Sequence, residues 1–289
     1  MDAPLKSNLC TQAQLESPTF RRWSERLGVR FGLHRKLWEH CFLAQALEER
    51  GRLAPGRRGL GFGVGREPLA ALFASRGCAI VATDMGVDSA KEAGWLDTNE
   101  HAASLAALND AGLCEPGAFQ RLVTFRVADM NAIPADLRGF DFTWSACSFE
   151  HVGSIELGEQ FLVNQMDCLK PGGVAVHTTE FNVRSDDETL ADGPTVLFRR
   201  RDIERMARRL TDLGHEIVLD LNPGDGLADG TIDAPPYTHN PHLKIQLAGF
   251  VTTSIGLIVR KAASTASSQR PALRGLVRTL RRLVPSARG

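Results

Sequence analysis

Gly61-Phe62-Gly63-Val64-Gly65 stands directly after a short apolar run and before a segment with helical spacing. Glycines in such a turn let the backbone approach a ligand where a β-carbon would collide. The helix start that follows offers unpaired N–H groups to polar atoms. Nineteen residues beyond Gly65, the run Ile80-Val81-Ala82-Thr83 ends on Asp84. A carboxylate at that point can accept hydrogen bonds from both hydroxyls of a ribose, as it does in dinucleotide sites. The dinucleotide pattern G-x-G-x-x-G is itself ruled out, because Arg66 stands where its third glycine belongs. The spacing here is G-x-G-x-G.

Three further segments follow in order. Ala128-Asp129-Met130 comes first, then Phe140-Asp141-Phe142-Thr143-Trp144-Ser145, then Leu169-Lys170-Pro171-Gly172-Gly173. With the glycine turn and Asp84 they give the stretch from Gly59 to Lys261 a pattern that resembles the class I S-adenosylmethionine-dependent methyltransferases. The resemblance implies S-adenosylmethionine as cofactor. It places Gly61, Phe62, Gly63 and Gly65 under the methionine end, Asp84 and Met85 at the ribose, Asp129 and Met130 at the adenine, and Ser145 at the end of the fourth strand. The whole chain also resembles bacterial methyltransferases that accompany surface-polysaccharide enzymes. One position departs from the family pattern. The acid usually found two residues before the first glycine is Gly59 here. Glu67 is then either a substitute carboxylate or a charge that favours the following helix N-terminus.

In methyl transfer the cofactor supplies the reactivity, and the protein aligns the acceptor and excludes water. A hydroxyl acceptor also benefits from a general base. Glu150-His151-Val152 follows the fourth strand, where the resemblance puts the active-site rim, and histidine titrates in the right range for that task. His151 is the first catalytic candidate, with Glu150 beside it. A similar Glu-His-Val segment in quinone-biosynthesis O-methyltransferases joins a metal site through an acid three residues earlier. That position is Cys147 here, so no metal is expected. His177-Thr178-Thr179-Glu180-Phe181-Asn182 ends the fifth strand; Glu180 is the next catalytic candidate and Asn182 a substrate contact. In the segment Asn222 to Ala248, Tyr237, His239 and His242 stand near Asp225, Asp229 and Asp233. Those residues form a polar lid on the substrate, a plain surface loop, or a metal site; His-x-x-His alone is not a zinc signature.

Positioning these residues requires a parallel sheet. Short apolar runs near Gly59–Phe62, Cys78–Thr83, Leu122–Val127, Phe140–Ser145, Val174–Thr179, Glu216–Leu221 and Phe250–Val259 alternate with amphipathic helical segments, the rhythm of crossover connections. One helix carries Ile155, Leu162, Met166 and Leu169 on a face. Another carries Ile203, Ala207, Leu210 and Leu213 and stops at Gly214. Before Pro55, Leu37, Cys41, Ala44 and Leu47 recur at helical spacing, with Arg35, Lys36, Glu39 and Glu48 between them. The expectation is an α/β fold: a Rossmann-like, doubly wound, seven-stranded sheet with an antiparallel last strand and an N-terminal helical cap. Residues 1–56 would form the cap, 57–261 the methyltransferase domain and 262–289 a linker with a basic amphipathic helix.

Composition sets the remaining bounds. The chain has 289 residues, 43% hydrophobic and 24% charged, the range of an ordinary globular protein. No apolar run approaches membrane-spanning length, and the first twenty residues lack the order of a secretory signal; a cytoplasmic location is expected. The six cysteines are scattered without a C-x-x-C pair, which argues for reduced, buried thiols. Net charge is zero, yet residues 262–289 hold six arginines and no acid, leaving the rest at −6. A catalytic face for nucleic acid would be basic, so no nucleic-acid partner is expected. In the tail, Leu273, Leu276, Val277, Leu280, Leu283 and Val284 share one face and Arg274, Arg278, Arg281 and Arg282 the other. Such a helix lies on an anionic membrane or a protein surface, or packs back on the acidic body. The expected reaction is O-methylation of a polar small molecule or a sugar or glycan. The alternatives are another small-molecule acceptor, or a scaffold that binds the cofactor without transferring its methyl group.

Overall fold

The computed structural model describes residues 4–86 and 105–263. A three-residue strand, β1 (Ser7–Leu9), leads into α1 (Gln12–Glu16), α2 (Pro18–Arg26) and α3 (Arg35–Glu49). Ser17 starts α2 by accepting the Phe20 N–H, and Pro18 occupies the first turn, where a missing N–H costs nothing. The strand–helix alternation follows as β2 (Arg58–Phe62), α4 (Leu69–Ser75), β3 (Ala79–Asp84), α5 (Pro116–Leu122), β4 (Val123–Val127), β5 (Phe140–Ala146), α6 (Ile155–Asn164) and β6 (Leu169–Asn182). The last part comprises α7 (Arg200–Asp212), β7 (Glu216–Ile217), β8 (Leu219–Asp220), α8 (Leu227–Gly230), β9 (Ile232–Asp233), β10 (Lys244–Leu247) and β11 (Phe250–Arg260).

Strands β4, β3, β2, β5 and β6 lie side by side in parallel. β11 runs antiparallel along β6, from the Thr252–Asn182 pair to the Arg260–Val174 pair. This is the doubly wound α/β sheet with an antiparallel last strand. Its two faces carry separate cores. Trp38, Phe42, Phe73, Phe142 and Trp144 pack on one side, and Phe62, Phe149, Phe161, Phe198 and Leu257 on the other. A parallel sheet with helices on both faces buries its strands on both sides in this way.

Among the described residues the sheet has eleven strands rather than the expected seven. The single strand expected over 216–221 is split, because β1 occupies the place beside β11. β7 pairs with β11, while β8 pairs in parallel with β1, and the Ser7 N–H donates to the Val218 carbonyl at the crossing. β9 and β10 extend the sheet into the 222–248 insertion. The N-terminal region is therefore sewn into the sheet rather than set above it: β1 is one of its strands, and α3 packs on β5, β6 and β11. Leu169, expected on a helix, begins β6 instead, because α6 ends at Asn164 and tightens into a 3-10 turn over Gln165–Cys168. Between β3 and β4 the described residues form a 3-10 turn over Leu105–Asn109 and α5; residues 87–104 lie outside the described residues, as does the expected tail helix. No helix among the described residues is long and apolar enough to cross a membrane.

Candidate active site

The glycine turn leaves β2 and is fastened from two directions. From β3, the Thr83 hydroxyl donates to the Gly61 carbonyl at 2.7 Å, the Val64 N–H to the Thr83 carbonyl at 3.1 Å, and the Gly65 N–H to Asp84 Oδ2 at 3.0 Å. From the end of β5, the Ser148 hydroxyl donates to the Gly63 carbonyl at 2.8 Å. Gly63 and Gly65 have φ of +54° and +50°, the left-handed region that suits glycine. A β-carbon on Gly63 would also meet Ser148 Cβ at 2.8 Å. Asp84 Oδ1 accepts the Met85 N–H at 2.8 Å, so the acid expected at a ribose also holds the turn in shape.

Above this turn opens a cavity of about 840 Å³. Of the residues expected at the cofactor, Gly63, Gly65, Asp84, Met85, Asp129 and Met130 line it. Gly61, Phe62 and Ser145 do not. Gly61 lies under the turn against the Trp144 ring, and Phe62 is buried in the core edge-on to Phe161. Ser145 is fully buried and shares a 2.8 Å hydrogen bond with His177 Nδ1. In a strand covered on both faces, alternate residues enter the core instead of the site. His177 itself lies in that core, and burial pushes it down to about 3.

Gly59 has no room for an acid, because a side chain there would run into the Phe142 ring. Glu67, just beyond the turn, lines the cavity instead. Its Oε1 accepts the Trp144 indole N–H at 2.6 Å, and burial pushes the carboxyl up to about 8 against the pull of that bond. Trp144 thus fills the space under Gly61 and orients the carboxyl that Gly59 cannot carry.

The opposite wall holds the catalytic candidates. The chain turns sharply after β5 at Cys147, whose φ of +47° is rare for a residue with a side chain; its N–H is held by the Thr178 carbonyl at 3.0 Å. Glu150, His151 and Glu180 all line the cavity. His151 Nδ1 lies 2.8 Å from the Pro194 carbonyl. A carbonyl only accepts, so in the neutral ring Nδ1 bears the proton and Nε2 the lone pair. Nε2 is 4.0 Å from Glu150 Oε1. Glu150 is almost wholly buried, accepts the Thr179 hydroxyl at 2.9 Å, and is pushed up by its burial.

Ligating atoms of Cys147, Glu150 and Glu180 lie within 4.8 Å of one another, a spacing that would admit a metal. This cluster already has its own cations. Arg35, at the start of α3, pairs with Glu180, whose other oxygen accepts the Thr252 hydroxyl at 2.7 Å. Lys36 Nζ lies 3.1 Å from Glu39 Oε2, and Glu39 Oε1 accepts the Ser254 hydroxyl at 2.5 Å. Burial alone would raise the Glu39 carboxyl, but Lys36 and Arg35 hold it down at about 2. Arg35, Lys36 and His40 all line the cavity; burial holds His40 down at about 4. The spacing along α3 suggests a solvent face for Arg35, Lys36 and Glu39. Arg35 and Glu39 are in fact buried, and nothing in their spacing separates them from a solvated helix face.

The expected substrate contacts lie elsewhere. Asn182 is buried and organises the turn after β6, accepting the Arg184 and Ser185 N–H groups. Tyr237, His239 and His242 do not line the cavity; they gather with His34 where the insertion meets the start of α3. From the insertion, Leu247 reaches the cavity wall.

Residues 60–177 match the family model described as a methyltransferase domain. The match covers less than half of the chain, and over that segment the chain is similar to a methyltransferase domain. S-adenosylmethionine is the cofactor, and the residues fit that group: Gly63 and Gly65, both at positive φ, line the cavity together with Asp84 and Met85. The matched span ends at His177, so the methyltransferase domain as matched includes the glycine turn, Asp84 and His151 but neither Glu180 nor α3. No curated protein matches the sequence. Among solved structures, the [4+2]-cyclase SpnF is 15% identical, covers 90% of this chain and 100% of its own, and superposes with a TM-score of 0.52. Phosphoethanolamine N-methyltransferase 2 of Haemonchus contortus, in complex with S-adenosylmethionine, is 15% identical over 86% of this chain and 61% of its own, with a TM-score of 0.47. An S-adenosylmethionine-dependent methyltransferase from Methanosarcina mazei is 13% identical over 75% of this chain and 98% of its own, with a TM-score of 0.46. The likeness to SpnF is one of fold alone.

Proposed function

We propose that the chain is an S-adenosylmethionine-dependent methyltransferase that methylates an oxygen of a polar small molecule, of the sugar or glycan class. The observation that carries this reading is the state of His151. Its Nδ1 proton is committed to the Pro194 carbonyl, which leaves the Nε2 lone pair as the ring's basic site on a cavity wall that also carries Glu150. A hydroxyl acceptor loses a proton as its oxygen is methylated, and a neutral imidazole is suited to take it. The donor, when bound, supplies a methyl group on a sulfonium centre open to in-line attack. Asp84 would hold its ribose, the Gly63–Gly65 turn its methionine end, and Glu67 the methionine ammonium in place of the acid that Gly59 lacks. The scaffold alternative rests on that missing acid, and Glu67 on the cavity wall counts against it.

A sugar-class acceptor is supported by the lining. Arg35, Lys36, His40, Glu150, His151 and Glu180 offer charged and polar partners rather than an apolar slot for a flat ring. The test is to incubate the full chain with methyl-labelled S-adenosylmethionine and a panel of sugar nucleotides, and to locate the label by mass spectrometry. Label on a sugar oxygen is the expected result. Label on amines alone, or none on any acceptor while the cofactor binds, overturns it.

A further inference from the structure

A second constellation of side chains lies outside the cavity. The segment before α3 and the insertion meet as adjacent strands: the His242 N–H donates to the Leu33 carbonyl at 2.7 Å and the Arg35 N–H to the His242 carbonyl at 3.1 Å. This pairing sets the rings of His34 and His242 face to face, 4.5 Å apart. His239, three residues upstream, brings its ring within 4.8 Å of His242. One ligating nitrogen from each of the three lies within 4.8 Å of the others.

Asp233 is built into this cluster. Its Oδ2 accepts His242 Nδ1 at 2.6 Å and the His239 N–H at 2.9 Å, and its Oδ1 accepts the Thr238 N–H at 2.9 Å. Both Asp233 and His242 are buried. The carboxylate therefore fixes the His242 ring with its lone pair on Nε2 and shapes the turn that carries His239. A carboxylate on the far nitrogen of a histidine is the usual support of a metal ligand.

We propose that His34, His239 and His242 bind a zinc ion that clasps the insertion to the start of α3. Three neutral imidazoles suit a borderline divalent ion, and a tetrahedral site would keep its fourth position for water on the exposed side of His239. Zinc–nitrogen bonds of about 2.0–2.1 Å require the three nitrogens to draw closer; His239, the exposed ligand, makes that approach. His34 Nδ1 now accepts the Lys36 N–H at 3.1 Å and caps α3, so ligation through that atom exchanges the cap for the metal. Because Arg35 and Lys36 follow directly and line the cavity, the clasp fixes the wall that they form.

The experiment uses the full, untagged chain, stripped with a chelator and titrated with zinc alone by calorimetry. One equivalent should bind with micromolar affinity or better, and the thermal midpoint should rise on loading. Cobalt in its place should give the intense visible bands of a four-coordinate site. His239→Ala, at an exposed position, should abolish both signals while leaving the fold intact, and Asp233→Asn should weaken binding by about 10- to 100-fold. Glu150→Gln should bind zinc as the parent does. Undiminished affinity in His239→Ala, loss of binding in Glu150→Gln instead, or no binding below about millimolar zinc, the weakest end of ordinary affinities, would each overturn the proposal.

Discussion

At the scale of single residues, two side chains carry the proposed chemistry. If His151 takes the acceptor's proton, His151→Ala lowers turnover by about a hundredfold or more, while cofactor affinity measured by calorimetry stays nearly unchanged. Equal losses in both would make the residue structural. Glu67 gives a pH signature of its own. Its folded pKa of about 8 stands above the ordinary 4.5, so between those values the native chain holds a proton that the unfolded chain has lost. Stability without cofactor should therefore fall as pH rises through that window. A bound methionine ammonium favours the carboxylate, so cofactor affinity should strengthen over the same range and level off above pH 8 or so. Calorimetry across pH checks both slopes, and Glu67→Gln should flatten them. The glycine turn and Asp84 were legible in the sequence because each ends a short strand at a recognisable spacing and depends on its own local backbone. Ser145 and Asn182 were misplaced because a strand residue's facing depends on which helices cover it, and no spacing of types reveals that.

At the scale of elements, α3 is the unexpected contributor. It carries Arg35, Lys36 and His40 to the cavity, and Glu39 buried behind them. Both members of the Arg35–Glu180 pair are largely shielded from water. Truncating one member of a buried pair leaves the other charge unmatched, at a cost of about 3–5 kcal/mol. Arg35→Ala should show that loss in urea denaturation, whereas Arg35→Lys should recover part of it. The cofactor half of the site was readable, and this wall was not, for one physical reason. The partners that make burial of these charges tolerable, Glu180 and Ser254, come from β6 and β11, and only the folded sheet brings them to α3. Periodicity alone assigns a charged helix face to solvent. The five parallel strands and the antiparallel one are each five residues or longer, enough for a pattern to be read. β1, three residues long, has no alternation to read.

At the scale of the whole molecule, the basic tail and the acidic body set up the remaining prediction. A chain ending at Lys261 keeps every strand among the described residues, and should fold and bind cofactor as the full chain does. If the tail helix lies on anionic lipid, only the full chain should float with anionic liposomes, and added salt should release it. A full chain that stays in the lower fractions would assign the tail to a protein surface. Within the sheet, β1 lies between β11 and β8, with Asn8 opposite Gly256. β1 thus waits for partners more than two hundred residues later in the chain before either of its edges is covered. Pairings so far apart in sequence are slow to close, and an unpaired strand edge is open to wrong partners in the meantime. The nascent chain should accordingly depend on holding factors until residue 260 has left the exit tunnel, and fusions that crowd Ser7 should lower the yield of native protein before they touch its activity.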